Sequence, residues 1–501
     1  MVDAATSRAR SVAEFRVGVA HAAGRLRECG VGAGDVVAVT VPLGEAFLHV
    51  VFACFAVGAA PALLDPAAET GVVGATVGEM RPRLWVTVDG DEEGATAAHQ
   101  LWDPDSVACG EMVLEPVEME PADPCMVIHT SGTTGVPKGV PWSCELVRSQ
   151  MELMRAADAE RELRTEFVTL SWVALWAVGL GRCVVLPDAG PAGPARMDVA
   201  AVVGQMHAHG CDYTFASMAL WRRIVAHCRT TGTPMPPVKA GATSGAPANL
   251  RALAELVDAL PHTRLDVLYA STEAPPPMAV LDARRLVAAT DAVARHARGI
   301  PVGQPMPDTR IAVIDPNTAT TLLDDSVTMP PGRPGEVIVS GPRVTTEYLG
   351  RPDLTRAAKL RHRDGTLWHR MGDIGYLDED GMLWFLSRKK HVIPTPDGPV
   401  YPDQHEHVYA FRTGAYQCVL TRPQPADHGH SADGLFLVLP DGAPRVGQAD
   451  LDAIARDAGL PAPTLLRYPG PFPVDSRHHS KIDRAAVTAW TTDAIRASTA
   501  V

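Results

Sequence analysis

Between residues 12 and 29 the apolar positions recur at three- and four-residue spacing, which predicts a helix. The run Val36-Val37-Ala38-Val39-Thr40-Val41 predicts a buried strand, and 45–57 is helical again. The longest apolar stretch, 47–64, holds His49 and several small residues. It reads as a buried helix running into a strand with Pro61 between them, not as a membrane span. The alternation continues with helices at 197–209, 218–228 and 248–260 and strands at 211–215, 238–240 and 265–269. Such a repeat implies an α/β fold of parallel layers. From Arg310 the texture changes to short β-like runs at 311–314, 335–340, 375–377 and 383–386, split by Pro and Gly, as in a small β-rich subdomain. A second break falls at 387–402, where charges and then Pro394, Pro396, Gly398, Pro399 and Pro402 interrupt the periodicity. The expected organisation is a large N-terminal domain, 1–387, with its β-rich part at 310–387. A hinge at 388–391 and a smaller, mobile α+β C-terminal domain at 392–501 complete it.

At 501 residues the chain is too long for one core, and 46% hydrophobic content fits several folded units. A formal net charge of -13 argues against a nucleic-acid backbone or an anionic membrane as main partner. An anionic substrate must then meet local cations. The nine cysteines are scattered without a Cys-x-x-Cys pair, which fits a reducing cytoplasm and neither a disulfide scaffold nor a zinc site. No apolar segment of the kind found in a secretory signal follows the charged N-terminus.

Candidate chemistry is concentrated in Thr130-Ser131-Gly132-Thr133-Thr134-Gly135-Val136-Pro137-Lys138-Gly139, directly after the apolar run 125–128. Glycines let the backbone approach phosphate oxygens, the hydroxyls and N–H groups donate to them, and Lys138 adds a point charge. An ordinary turn after a strand is the plainer reading of any shorter match. Gly139 follows the lysine where a Walker A loop has Ser or Thr, so this is a different phosphate loop.

The loop resembles the signature of the adenylate-forming superfamily, which includes acyl-CoA synthetases, luciferases and peptide-synthetase adenylation domains. Further segments follow in that family's order. Ser244-Gly245-Ala246-Pro247 is similar to its adenine-side loop, and Tyr269-Ala270-Ser271-Thr272-Glu273 to its Tyr-Gly-x-Thr-Glu motif. Met371-Gly372-Asp373 resembles the Thr-Gly-Asp motif whose aspartate holds the ribose. Ser387-Arg388-Lys389-Lys390-His391 sits where the family has its Gly-Arg-x-Lys-Asp hinge, and Ser480-Lys481-Ile482 resembles the Gly-Lys-Ile segment of the adenylation lysine. The resemblance implies ATP and Mg²⁺, with Thr130, Ser131, Thr133, Thr134 and Lys138 on the β- and γ-phosphates and Glu273 on the metal. It further implies Asp373 and Arg388 at ribose or phosphate, and Lys481, carried on the C-terminal lid, bridging the substrate carboxylate and the α-phosphate. Ala270, Ser387 and Ser480 replace family glycines, and no charged catalytic group is lost.

Members differ in the nucleophile that attacks the adenylate. Thr272-Glu273-Ala274-Pro275-Pro276-Pro277, the block from Trp368 to His391 and the block from Phe472 to Ile482 resemble the β-lactone synthetases of bacterial olefin and β-lactone pathways. That branch adenylates a 3-hydroxy acid, whose own hydroxyl then closes a β-lactone with loss of AMP. In thioester-forming relatives a Lys-x-x-Gly-x-x-Ile-x-Pro-x-Glu loop lines the thiol tunnel. Here Pro394 replaces the lysine, the glycine is shifted to Gly398 and Gln404 stands near the glutamate, so a thiol tunnel is not expected. The alternatives are an acyl-CoA synthetase or acyl-AMP ligase serving a CoA or carrier-protein thiol, and a nucleotide-binding pseudoenzyme. His129, His391, His478 and His479 are candidate bases by chemistry, with none preferred. Trp172 and Trp176, four apart, together with Phe215 are expected in the acyl pocket, where the tryptophans either close a tunnel for a short acid or pack the core. Arg182 reads as a surface arginine, its other use being a second substrate carboxylate.

Overall fold

A computed structural model describes residues 1–4, 8–87, 115–130, 137–187, 197–245, 247, 249–324, 327–423, 434–474 and 481–499, excepting the side chains of 291–296, 498 and 499. The N-terminal βα alternation builds a five-stranded sheet in the order Leu84–Val86, Val36–Val39, Ala60–Leu63, Pro124–His129 and Gly139–Ser143. Its first four strands are parallel, and only the last pair turns antiparallel. Helix Val12–Glu28 begins at a capping box in which Ser11 and Glu14 satisfy each other's backbone N–H groups. Helix Glu45–Val57 stops at Gly58, whose φ of 75° places it in the left-handed region that glycine tolerates best. Pro61 was expected between helix and strand but lies inside the strand Ala60–Leu63, in register with Val37. The strand begins one residue after buried Ala59, so the apolar run continues straight across the proline.

A second, fifteen-stranded sheet carries the rest of the large N-terminal portion. Strands Arg264–Ser271, Ala240–Thr243, Tyr213–Phe215, Thr165–Phe167 and Cys183–Leu186 run parallel. The ladder register sets the strand expected at 238–240 at Ala240–Thr243, because Ala240 pairs with both Tyr213 and Arg264. Helix Leu250–Ala259 starts two residues later than expected, where the Asn249 side chain accepts from Ala252 N–H. Past Arg264–Ser271 the sheet turns antiparallel through Ala274–Asp282, Ile300–Pro305, Leu383–Arg388, Leu367–Leu377, Gly335–Ser340 and Arg310–Ile314. The β-rich stretch from residue 310 is thus hydrogen-bonded into the same sheet.

After a short 3₁₀ turn, Lys389–His391, the chain forms the hairpin Ile393–Thr395/Gly398–Val400. A three-stranded sheet follows, Val419–Thr421, Phe436–Pro440 and Thr464–Tyr468, with helices Pro402–Thr413, Gln448–Ala458 and Arg484–Thr499. This α+β unit has its own apolar core around Val408, Tyr409, Leu437 and Leu451. Among the described residues no helix is long and apolar enough to cross a membrane, and the eight described cysteines are free thiols.

Candidate active site

Strand Pro124–His129 delivers the chain into the phosphate loop, and Gly139–Ser143 takes it out again as an antiparallel hairpin. Thr130 N–H donates to Lys138 O at 3.0 Å, while Lys138 N–H donates to Thr130 Oγ1 at 3.2 Å, so the loop is closed at its base. Ser131, Gly132, Thr133, Thr134 and Gly135 lie outside the described residues. The Lys138 ammonium stands 3.6 Å from Glu273 Oε1, 3.3 Å from the Tyr348 hydroxyl and 4.4 Å from that ring's centroid.

Thr272 and Glu273 form the turn between strands Arg264–Ser271 and Ala274–Asp282. Trp142 Nε1 donates to Thr272 O at 2.9 Å, and Thr345 N–H and Oγ1 both donate to Glu273 O at 3.0 Å. These bonds hold the turn from the phosphate-loop side and from the β-rich side. Tyr348 donates to Glu273 Oε1 at 2.5 Å. Burial works against ionisation of Glu273, but His369, the Tyr348 hydroxyl and Lys138 outweigh it and hold the carboxyl at about 2. His369 is itself pushed down to about 3 by burial and by Lys359, so it is uncharged at neutral pH and lends its charge to Glu273 only in acid, while Tyr348 and Lys138 act throughout. Lys359, lowered to about 7 by burial, donates to Thr345 O at 2.5 Å behind the same turn. A buried carboxylate kept ionised beside a cation fits a Mg²⁺ that takes one protein carboxylate and completes its shell with phosphate oxygens and water. Among the described residues no larger His/Cys/Asp/Glu group is poised for a metal, as such a site requires none.

Asp373 is buried, and its carboxylate accepts from Tyr269 OH at 2.8 Å and from Arg388 Nη1 at 2.6 Å. Strand pairing sets this: Asp373 on Leu367–Leu377 lies opposite Arg388 on Leu383–Arg388. Burial raises the Asp373 pKa against the pull of Arg388. Ala270 is half-buried on strand Arg264–Ser271, and neighbouring Ser271 Oγ accepts from Ala274 N–H at 3.2 Å. Ser244 Oγ donates to Leu268 O at 2.9 Å, tying the adenine-side loop to the strand that ends in the Tyr269 motif. Gly245, at a φ of 94°, and Pro247 follow, while Ala246 lies outside the described residues.

Trp172 and Trp176 lie on helix Ser171–Gly179. Trp176 stacks on Trp142 at 6.0 Å, and Trp172 meets Phe215 edge-on at 5.6 Å. All three predicted pocket residues line one cavity of about 810 Å³. Leu268, Asp266 and Arg264 of strand Arg264–Ser271 line the same cavity. Arg182 also lines it, and the surface position expected for this arginine is wrong: its side chain is only 3% exposed, paired with Glu166 and Asp158. Its position in sequence, one residue before the strand Cys183–Leu186, carried no signal of what the neighbouring strand Thr165–Phe167 would place beside it.

At the hinge, Arg484 pairs with Glu406 and with Asp403, whose other oxygen accepts from Ser387 Oγ at 3.2 Å. Burial and then Arg484 press His391 down to about 4. Lys390 is lowered by burial and by the charges of Arg388 and Lys138, while Asp483 acts the other way. Lys481 is half-buried, next to the isolated bridge between Val474 and Ile482. His478, His479 and Ser480 lie outside the described residues, and His129 is buried with Nδ1 3.4 Å from Leu63 O. Tyr348 and Lys359 are the site-side groups that no motif had flagged, and His369 lay in the block from Trp368 to His391 without a role assigned to it.

The AMP-binding enzyme family model matches residues 2–349. The chain is 30% identical to the olefin beta-lactone synthetase of Xanthomonas campestris over 92% of this chain and 87% of that one, and shows the same figures with the enzyme of that name from Stenotrophomonas maltophilia. A feruloyl-CoA synthase of Amycolatopsis is 28% identical over 93% of this chain and 91% of its own. Among solved structures, ATP-bound MatB from Rhodopseudomonas palustris superposes with a TM-score of 0.79 at 18% identity, covering 98% of this chain and 95% of that one. O-succinylbenzoate Coenzyme A synthetase from Bacillus subtilis, in complex with ATP and magnesium ion, gives 0.74 at 20% identity, with 94% and 93% covered. With its phosphate-loop hairpin, its buried Glu273 turn and its Asp373–Arg388 pair, this chain belongs to the AMP-binding enzyme family and is an ATP-dependent, acyl-adenylate-forming ligase.

Proposed function

We propose that this ligase adenylates a 3-hydroxy acid and then closes it to a β-lactone. The observation that carries the reading is the 30% identity, over 92% of the chain, to two olefin beta-lactone synthetases. The sequence after the hinge supports it: Pro394, Gly398 and Gln404 depart from the Lys-x-x-Gly-x-x-Ile-x-Pro-x-Glu pattern of thioester-forming relatives, in a segment that here forms the hairpin Ile393–Thr395/Gly398–Val400. Thr395 Oγ1 is bonded to Gly398 O at 2.6 Å and Arg422 to Pro394 O at 2.5 Å.

In the first half-reaction a carboxylate oxygen attacks the α-phosphorus of ATP and pyrophosphate leaves. Thr130, Lys138 and the loop between them hold the β- and γ-phosphates. Tyr269, Asp373 and Arg388 hold the ribose, and the loop from Ser244 to Pro247 flanks the adenine. Glu273, in the turn with Thr272, would hold Mg²⁺, which when bound would neutralise phosphate charge. Lys481 bridges the carboxylate and the α-phosphate, brought there by residues 392–501 moving as a lid about 388–391. In the second step the β-hydroxyl oxygen attacks the acyl carbon, the bond from that carbon to the phosphate oxygen breaks, AMP leaves and the hydroxyl proton is released. Nucleophile and mixed anhydride share one molecule, so enforced proximity supplies much of the drive against ring strain.

Mass spectrometry of products from ATP, Mg²⁺ and 2-substituted 3-hydroxy acids, with and without CoA, tests the reading. The expected product has the mass of the acid minus water and forms with AMP in the absence of CoA. A product formed only with CoA would move the chain to the thioester-forming reaction named for its feruloyl-CoA synthase relative.

A further inference from the structure

The acyl cavity has two unlike halves. Toward the Tyr269 motif it is lined by Trp172, Phe215, Ala242 and Leu268. Farther along, Asp158, Arg161, Glu166, Arg182, Arg264 and Asp266 line it. Arg264, Asp266 and Leu268 alternate on one face of a single strand, so the lining covers roughly 13 Å of it, at about 3.3 Å per residue. The charged groups form a belt. Arg182 binds Glu166 Oε2 at 2.5 Å and also Asp158, and it lies 4.6 Å over the Tyr213 ring. Arg161 binds Asp266 Oδ2 at 2.8 Å, and Arg264 reaches the other oxygen of Asp266 at 3.3 Å. Three carboxylates thus face three guanidinium groups, and Glu160, Asp282, Arg284 and Arg285, which also line the cavity, add two charges of each sign.

A long alkyl tail threaded through such a belt would strip ion pairs of water and return no hydrogen bonds. A carboxylate or ammonium on the tail would leave one charge without a counter-charge. An amide or hydroxyl can donate to a carboxylate and accept from a guanidinium while the belt stays balanced. Burial pushes Glu166 up to about 7 despite the Arg182 guanidinium bonded to it.

We propose that the acid activated here carries, beyond its reacting end, a tail with a neutral hydrogen-bonding group, an amide or a hydroxyl, that seats in the Asp158–Glu166–Arg182 and Arg161–Asp266 belt. The inference deepens the adenylation reading, since it takes this cavity as the acyl pocket. It is independent of whether a lactone or a thioester forms.

The test is calorimetric binding of stable acyl-sulfamoyl adenosines to the full chain. Four tails of matched length are compared: alkyl, amide-ended, carboxylate-ended and ammonium-ended. The amide tail is expected to bind at least tenfold tighter than each of the others. Arg161→Gln should narrow the gap between amide and alkyl several-fold while leaving an acetyl-sulfamoyl adenosine unaffected. Equal or tighter binding of the alkyl tail, preference for either charged tail, or a gap unchanged in Arg161→Gln overturns the proposal. Because no turnover is read, failure here leaves the lactone reading standing, and a thioester product in the activity assay leaves this one standing.

Discussion

Asp373 and Arg388 face each other across two neighbouring strands with 2.6 Å between carboxylate and guanidinium, and Tyr269 donates to the other oxygen of the same carboxylate at 2.8 Å. The first residue of the hinge, which also ends the strand Leu383–Arg388 of the large sheet, is therefore bonded to the residue expected to hold the nucleotide ribose. Arg388→Met leaves Asp373 buried with one donor fewer. The arginine side chain is 46% exposed, so solvent screens the pair and the expected loss of stability is about 1–2 kcal/mol. The KM for ATP should rise at the same time. A double-mutant cycle with Asp373→Asn, read by thermal unfolding, should return a coupling energy above zero, and strict additivity would contradict the pairing.

Glu273 sets an acid limit on stability. Its carboxyl is lowered from 4.5 in an exposed chain to about 2 in the fold. A lowered carboxylate contributes stability that is fully present above the unfolded value and is lost as pH falls from about 4.5 toward 2. Tyr348→Phe removes one stabilising donor, so the loss should begin at higher pH. Urea midpoints between pH 6 and 3 will show this, and coincident curves for wild type and Tyr348→Phe would refute it. Glu273→Gln should lower adenylation by two orders of magnitude or more, through lost Mg²⁺ binding.

Arg484, three residues past Lys481, is held by Glu406 and Asp403 under the hinge. Arg484→Met strands two buried carboxylates and should cost about 3–5 kcal/mol of local stability. Hydrogen exchange should then rise in helix Pro402–Thr413 before the strands of the large sheet respond. Lys481→Ala should instead leave exchange and ATP binding intact while pyrophosphate release drops at least a hundredfold. Equal activity in Lys481→Ala would remove this lysine from the adenylation step.

Trp172 and Trp176 wall the cavity proposed to take the acyl group, next to Trp142 and Phe215. Replacing both with alanine should broaden the range of acid chain lengths that release pyrophosphate. Unchanged selectivity in a folded double variant would reduce the pair to core packing. Trp176 is 3% exposed, so the double variant should also lose several kcal/mol of stability.

Long helices with clear periodicity, such as Val12–Glu28 and Glu45–Val57, were legible from spacing alone. The strand Ala274–Asp282 was not, because Pro275, Pro276 and Pro277 argue locally against a ladder that the neighbouring strands impose. The phosphate loop and the Tyr269, Asp373 and Lys481 motifs stand out in the chain because their chemistry needs contiguous residues. Tyr348, Lys359 and His369 do not, because each reaches the Glu273 turn from 75 or more residues away, Tyr348 through a hydrogen bond and the other two through their buried charge environment.

Order of elements, the βα alternation and membership of an adenylate-forming family follow from the one-dimensional pattern, since periodicity and short motifs are local properties. The ionisation of Glu273, the pairing of Asp373 with Arg388 and the burial of Arg182 between Glu166 and Asp158 belong to the tertiary structure alone. Electrostatic environment depends on which distant strands become neighbours and on how much water they exclude, and neither quantity is written in the spacing of residues along the chain.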